Sequence, residues 1–370
     1  MYWARSASFV SFSEAHSKKC NAGYCPPEAE TMRTVRISFL LSLLVLLVGL
    51  STANAEWVRL NTKSFSTLKD IFFQDNEHGW IVGTDGTIMH TVDGGVTWQS
   101  EQKFTTDNLL QIYFTDTNTG WLLCERNIYS RGRNATSYLR KTTDGGRNWE
   151  KIEFEEADRE RVTKLLFSKN GLATAFGEGG IFYKLQEDGK TWKRSRAAIH
   201  FLLLDGAYSE ALTGAIVGAG GTIVFTEDGG LTWENATVLG TQDTRINGIT
   251  FTGPKTGWAV GAGGTIFSAT GGGRLWRTQR AETTADLNDV FFKDPRNGWA
   301  VGNNGTLLQT TNGGQRWELI NTRITHNLFK ITFTATRGFA IGFGGTILAT
   351  GPGITSPVEQ KPAIRAKDAN

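Results

Sequence analysis

From Trp57 onward the apolar positions come in short runs, rich in β-branched and aromatic residues and separated by Gly, Asn and Asp. One stretch shows the order: Leu68-Lys-Asp-Ile-Phe-Phe73, then Trp80-Ile-Val82, then Gly86-Thr-Ile-Met-His-Thr91, then an Asp-Gly-Gly turn and Thr97-Trp98. Short runs of this composition, punctuated in this way, predict strands joined by tight hairpins.

The pattern repeats. Its first anchor reads Gly-Trp-apolar-apolar-Gly, at Gly79–Gly83, Gly257–Gly261 and Gly298–Gly302, with weaker copies at Gly120-Trp121, Gly171-Leu172, Gly214-Ala215 and Gly338-Phe339. The second reads Thr-x-Asp-Gly-Gly-x-Thr-Trp. It is intact from Asp93 to Trp98 and from Asp228 to Trp233, carries Asn148 for Thr between Asp144 and Trp149, and is decayed before Trp192, Trp276 and Trp317. The six closing tryptophans are spaced 51, 43, 41, 43 and 41 residues apart. A period near 42 matches one four-stranded blade of a β-propeller.

A seventh unit starts at Leu328 and stops at Gly351 without a tryptophan strand. Trp57 lies 14 residues before Ile71, as Trp317 lies 14 before Ile331, so Trp57 occupies the place of a closing tryptophan. The expected fold is an all-β, seven-bladed propeller over residues 56–351, with the N-terminal strand completing the last blade. Such closure removes free sheet edges.

The two ends of the chain read differently. Arg33 and Arg36 precede an apolar run from Ile37 to Leu50 that ends in Ala53-Asn54-Ala55, the pattern of a secretory signal over residues 32–55 cleaved before Glu56. Met32 is then the expected start, and residues 1–31 a gene-start extension. Residues 352–370, with three prolines and a charged end, read as a disordered tail. Removing residues 1–55 reduces the 39 basic and 36 acidic residues to 34 and 33, a net charge of +1. That balance offers no global case for nucleic acid. It also leaves Cys124 as the one cysteine, so an exported chain has no internal disulfide.

Catalytic chemistry finds little support in these residues. An Asp opening a tight turn accepts backbone N–H bonds from residues just ahead, and a device repeated once per blade cannot converge on one substrate. Glycosidases need a facing carboxylate pair, whereas the acidic residues outside the turns, such as Asp70, Glu153, Glu155, Asp205 and Asp289, are scattered. His78, His90, His200 and His326 are isolated, and no nucleophile elbow or phosphate loop occurs. No cofactor or metal is expected, and the chain is read as not an enzyme. A carbohydrate-active propeller is the remoter alternative.

Departures from the repeat are more informative, because the blade does not require them. Unit two carries about eight extra residues, with Arg126, Arg131, Arg133 and Arg140 accompanied by Tyr129 and Tyr138. A second basic cluster, Lys190, Lys193, Arg194 and Arg196, lies at the junction of units three and four. Arginine and tyrosine are favoured at protein interfaces, so these residues form the candidate partner surface.

The Gly-Trp-Ala-Val-Gly, Gly-Thr-Ile and Thr-x-Asp-Gly-Gly-x-Thr-Trp anchors together resemble the photosystem II stability/assembly factor family of cyanobacteria and chloroplasts, over residues 56–351. The resemblance implies a propeller of the thylakoid lumen or periplasm that binds newly made reaction-centre subunits and catalyses nothing. It also implies a basic binding region, onto which only Arg194 and Arg196 map. The expected partner is a membrane-protein assembly intermediate, a photosystem II core subunit if the source is photosynthetic, with membrane contact through that partner and the chain itself a monomer. A periplasmic or surface scaffold with another client is the alternative.

Overall fold

The computed structural model describes residues 56–355, apart from 132–134, 157–158, 169–170, 197–198 and 241–242. The leader expected over residues 1–55, Arg133, and the tail beyond residue 355 lie outside these described residues.

Seven sheets, antiparallel but for one added strand in the fifth, follow one another along the chain. The first consists of Leu68–Phe73, Gly79–Gly83, Ile88–Thr91 and Gln99–Ser100 in consecutive order. The next five begin at Asn108, Val162, Leu203, Ile246 and Leu287. The seventh holds Leu328–Phe333, Gly338–Gly342 and Ile347–Thr350, and its fourth strand is Val58–Leu60 from the other end of the chain. There Val58 pairs with Ala349 and Leu60 with Ile347, while Trp57 is buried edge-on to Phe333.

The anchors are steric requirements. A Cβ on Gly83 would lie 2.4 Å from the Thr67 carbonyl oxygen, and the equivalent contacts at Gly177, Gly218, Gly261, Gly302 and Gly342 are 2.0–2.2 Å. Blade two has Cys124 at this position, and its chain diverges there. Its first two strands extend to Asn108–Phe114 and Gly120–Glu125, and a loop with one helical turn, Ile128–Arg131, replaces the tight turn used elsewhere. The Cys124 thiol is fully buried, and burial pushes its pKa up to about 12, so it is an inert core residue.

Two features differ from the sequence reading. Blade five has five strands, because Thr237–Leu239, just after blade four, runs parallel to Leu275–Gln279 and covers its outer edge. The tail also begins later than Pro352: the Pro352 carbonyl accepts a 2.7 Å bond from Arg337 Nε, and Ile354 packs on the cluster around Phe339.

The first strand of every blade carries a bulge near its start, between Leu68 and Asp70 in blade one and at the equivalent places in the other six. Bulges re-aim side chains, and here they build a polar belt around the inside of the ring. Asp70 accepts the Ile112 amide of the next blade at 3.0 Å, Asp205 accepts Ile249 at 3.0 Å, and Asp289 accepts Ile331 at 2.9 Å. Gln111 exchanges two bonds with the Leu165 backbone. Lys164 pairs with Asp205 at 2.8 Å and Lys330 with Asp289 at 3.1 Å. Each contact ties one blade to its neighbour.

Candidate functional site

Antiparallel topology gives the ring two unlike faces. First-to-second and third-to-fourth strand turns open on one, which carries the Asp-Gly-Gly turns; second-to-third strand turns and the blade connectors open on the other, the connector face.

On the turn face the conserved-looking Asp residues are consumed by their own turns. Asp93 Oδ1 accepts the Thr91 hydroxyl at 2.7 Å and the Thr97 amide at 3.0 Å, while Oδ2 accepts the Thr97 hydroxyl at 2.6 Å. Gly94 and Gly95 supply the left-handed backbone this turn needs, with φ of 68° and 82°. Asp144 and Asp228 repeat the arrangement. At Asp144 the Asn148 amide and side chain, with the Thr142 hydroxyl, hold the pKa at about 2. At Asp228 burial acts upward, yet the Thr232 and Thr226 bonds still bring it to about 2. The closing tryptophans pack beneath, with Trp192, Trp276 and Trp317 fully buried and Trp98, Trp149 and Trp233 half-buried. Carboxylates so committed serve the donors of their own turns.

The basic insertion of blade two is not the open patch its sequence suggests. Arg126 is 7% exposed and its guanidinium donates to the Ala135 carbonyl and to Glu153, both at 2.5 Å. Tyr138 is buried, gives its hydroxyl to Asp107 at 2.8 Å, and lies between Arg126 at 4.6 Å and Lys151 at 4.8 Å from its ring centre. Arg140 stacks on Phe104 and donates to the Trp149 carbonyl. Arg126 and Tyr138 therefore support the insertion from within and are too buried to be contact residues, a correction whose physical reason is that a long loop needs internal partners for its polar groups; Arg140, on the strand Ser137–Thr142, is half-buried and ties that strand to Phe104 and Trp149. Tyr129, 91% exposed at the tip beside Ile128, is the one aromatic that the described part of the loop presents outward. Arg131 is placed here by its backbone alone.

The second cluster divides between the faces. Lys190 is in the third-to-fourth strand turn and pairs with Glu150 at 2.6 Å. Lys193 is exposed on the outer strand Trp192–Arg196, and Arg196, described by its backbone, pairs with Ile181. Arg194 faces Glu160 at 3.9 Å and lines a polar cavity of about 530 Å³ with Glu156, Ser195, Ile199 and His200, open on the connector face. The connector that forms one wall of this cavity also accepts a bond from the insertion, Thr136 Oγ1 to the Arg159 carbonyl at 2.5 Å. The two departures from the repeat thus meet on one face. Glu156, Glu160 and His200 of this cavity are contributed by connectors, which carry no repeat signal to find them by.

Among the described residues no three His, Cys, Asp or Glu side chains group as metal ligands. What the connector face offers is a charged cavity beside exposed aromatic tips, an arrangement suited to holding a polar segment of another molecule.

The fold is shared with solved propellers. A YCF48 bound to D1 peptide superposes with a TM-score of 0.66 at 24% identity, over 80% of this chain and 94% of that one. A virginiamycin B lyase from Staphylococcus aureus does so at 0.67 and 14% identity, over 80% and 99%. Among curated relatives, the photosystem II assembly lipoprotein Ycf48 of Synechococcus sp. (strain CC9902) is 28% identical over 172 residues, 42% of this chain and 47% of that protein. The chain spans about half the length of such relatives. The model of the photosynthesis system II assembly factor YCF48 family matches residues 50–195, 185–282 and 277–350, nearly the whole ring, and the chain belongs to that family.

Proposed function

We propose that the chain is a non-enzymatic assembly factor, exported to the periplasm or thylakoid lumen, that binds newly made photosystem II reaction-centre subunits through its connector face. The observation that carries this reading is the cavity at blade three, where Arg194 and His200 stand with Glu156 and Glu160 in a recess wide enough for a short peptide segment. An extended client presents a terminal carboxylate, side-chain charges and backbone groups, which this mixture of donors and acceptors meets. Family membership and the solved YCF48 bound to D1 peptide support the choice of client.

The test is titration of labelled peptides covering the D1 subunit against the wild type and Arg194→Glu. One or more peptides should bind, and charge reversal should weaken them at least about tenfold, the loss typical of an interface arginine. Equal binding by the variant, or no binding by any peptide, overturns the assignment. Capture of other envelope proteins in place of reaction-centre subunits from native membranes transfers the function to a general scaffold.

A further inference from the structure

Exposed aromatic side chains are confined to one side of the ring. Among the described residues those exposed are Phe65, Phe104, Tyr129, Phe201 and Phe343, and every one sits in a connector or a second-to-third strand turn. Phe65 is 93% exposed, Tyr129 91% and its neighbour Ile128 73%. Among the described residues the large apolar side chains exposed on the turn face, such as Val92 and Leu231, are aliphatic.

These rings do not line one groove. Phe65 forms a ridge between two shallow clefts of about 430 and 370 Å³, Phe343 precedes the Gly344 that borders the second, and Tyr129 stands at the tip of the blade-two insertion. A protein partner needs a matched surface to bury separate protrusions together. A bilayer interface accepts each ring at its own depth, and aromatic residues favour the headgroup level. The cleft beside Phe65 is charge-balanced, with exposed Lys63 and Lys103 against exposed Asp85 and Glu101.

We propose that the connector face docks directly on a membrane surface, with Phe65, Ile128, Tyr129 and Phe343 entering the headgroup region of the bilayer. This does not rest on the client assignment, because Arg194 and its cavity take no part.

The protein in its exported form is sedimented with vesicles of phosphatidylcholine and phosphatidylglycerol at about 3:1. Wild type should partition onto the vesicles. Phe65→Ser/Tyr129→Ser/Phe343→Ser should partition at least about tenfold less, with a melting temperature lowered only slightly, since Phe65 and Tyr129 are almost fully exposed and Phe343 gives up its stacking on His326. Val92→Ser/Leu231→Ser, on the turn face, should behave as wild type. Failure of the wild type to sediment overturns the proposal, as does equal loss from both variants. If the wild type ignores vesicles while the aromatic variant loses client capture, the rings are a protein interface instead.

Discussion

Two sets of aspartates sit at opposite edges of the blades and live under opposite physics. Asp93, Asp144 and Asp228 lie on the outer turns, where partners within four residues hold their charge. Asp70, Asp205 and Asp289 lie in the inner belt, 3–6% exposed, and bond to residues 42 to 44 positions away. Burial pushes Asp70 and Asp289 up despite Lys330; at Asp205 burial also acts upward, but Lys164, Lys330 and the Ile249 amide together hold it down. The outer set makes each hairpin, whereas the inner set makes the ring. A turn aspartate is therefore replaceable within its own blade, and a belt residue is shared between two.

The sharpest way to break this contrast is Lys330→Met. Lys330 pairs with Asp289 and acts electrostatically on Asp70 and Asp205, and burial is overcome so that its own pKa is raised. Its removal leaves two buried carboxylates uncompensated. A fully buried broken pair costs about 3–5 kcal/mol, and because the Lys330 side chain is 25% exposed we expect about 2–3 kcal/mol. The sign with pH follows from Asp289: its folded pKa is raised, so its contribution is full below the unfolded carboxylate value and is lost as pH rises through the folded one. The variant's deficit should widen above that range and shrink below it. Chemical denaturation at several pH values measures this, and a pH-independent deficit would show that Lys330 acts through packing alone.

What could be read in advance divides along the same line. Both anchors were visible because glycine and tryptophan mark close backbone approach and hairpin packing at fixed spacing. Ring closure was visible because Trp57 keeps the phase of Trp317. The belt was written as Leu68-x-Asp70, Leu203-x-Asp205 and Leu287-x-Asp289, yet the acids seemed scattered, since other blades put Gln111, Lys164, Gly248 and Lys330 at that phase. No two neighbouring blades carry like charges there, so identity is not repeated even though position is. Arg126 and Tyr138 looked like surface residues because a basic, aromatic loop reads the same whether it faces outward or supports itself. The fifth strand of blade five was hidden because Thr237–Leu239 precedes its own blade and takes its partners from Leu275–Gln279.

On the outer edge a smaller loss is expected. Asp228→Ala removes the acceptor for the Thr232 amide and for the Thr226 and Thr232 hydroxyls, much like the loss of a helix cap, and should cost about 1 kcal/mol. The folded pKa of Asp228 is about 2, below the unfolded carboxylate value, so this stability is present above the unfolded value and lost as pH falls toward 2. Melting curves of variant and wild type should converge at the acid end. A gap that persists there would mean the side chain contributes through something other than its charge. Asp70 and Asp289 of the belt thus lose their contributions in the opposite pH direction to Asp228, whereas Asp205, held down by its lysines, follows the turn aspartates.

The smallest effect comes from repairing a decayed turn. Asn312 occupies the aspartate position of blade six, and its Oδ1 accepts the Thr310 hydroxyl at 3.0 Å and the Arg316 amide at 2.9 Å, so the turn geometry is already in place. Asn312→Asp keeps both acceptor contacts and adds charge, which strengthens hydrogen bonds to it. Arg316 replaces the threonine whose hydroxyl bonds the aspartate in blades one and four, so one contact of the intact turn stays missing. The gain should be a few tenths of a kcal/mol, within the range of exposed charge-assisted contacts. Differential scanning calorimetry should place the variant's melting temperature slightly above wild type near neutral pH and level with it once the new carboxylate is protonated. A fall at neutral pH would mean that Asn312 is held by its side-chain amide as well, and that this turn has diverged to use it.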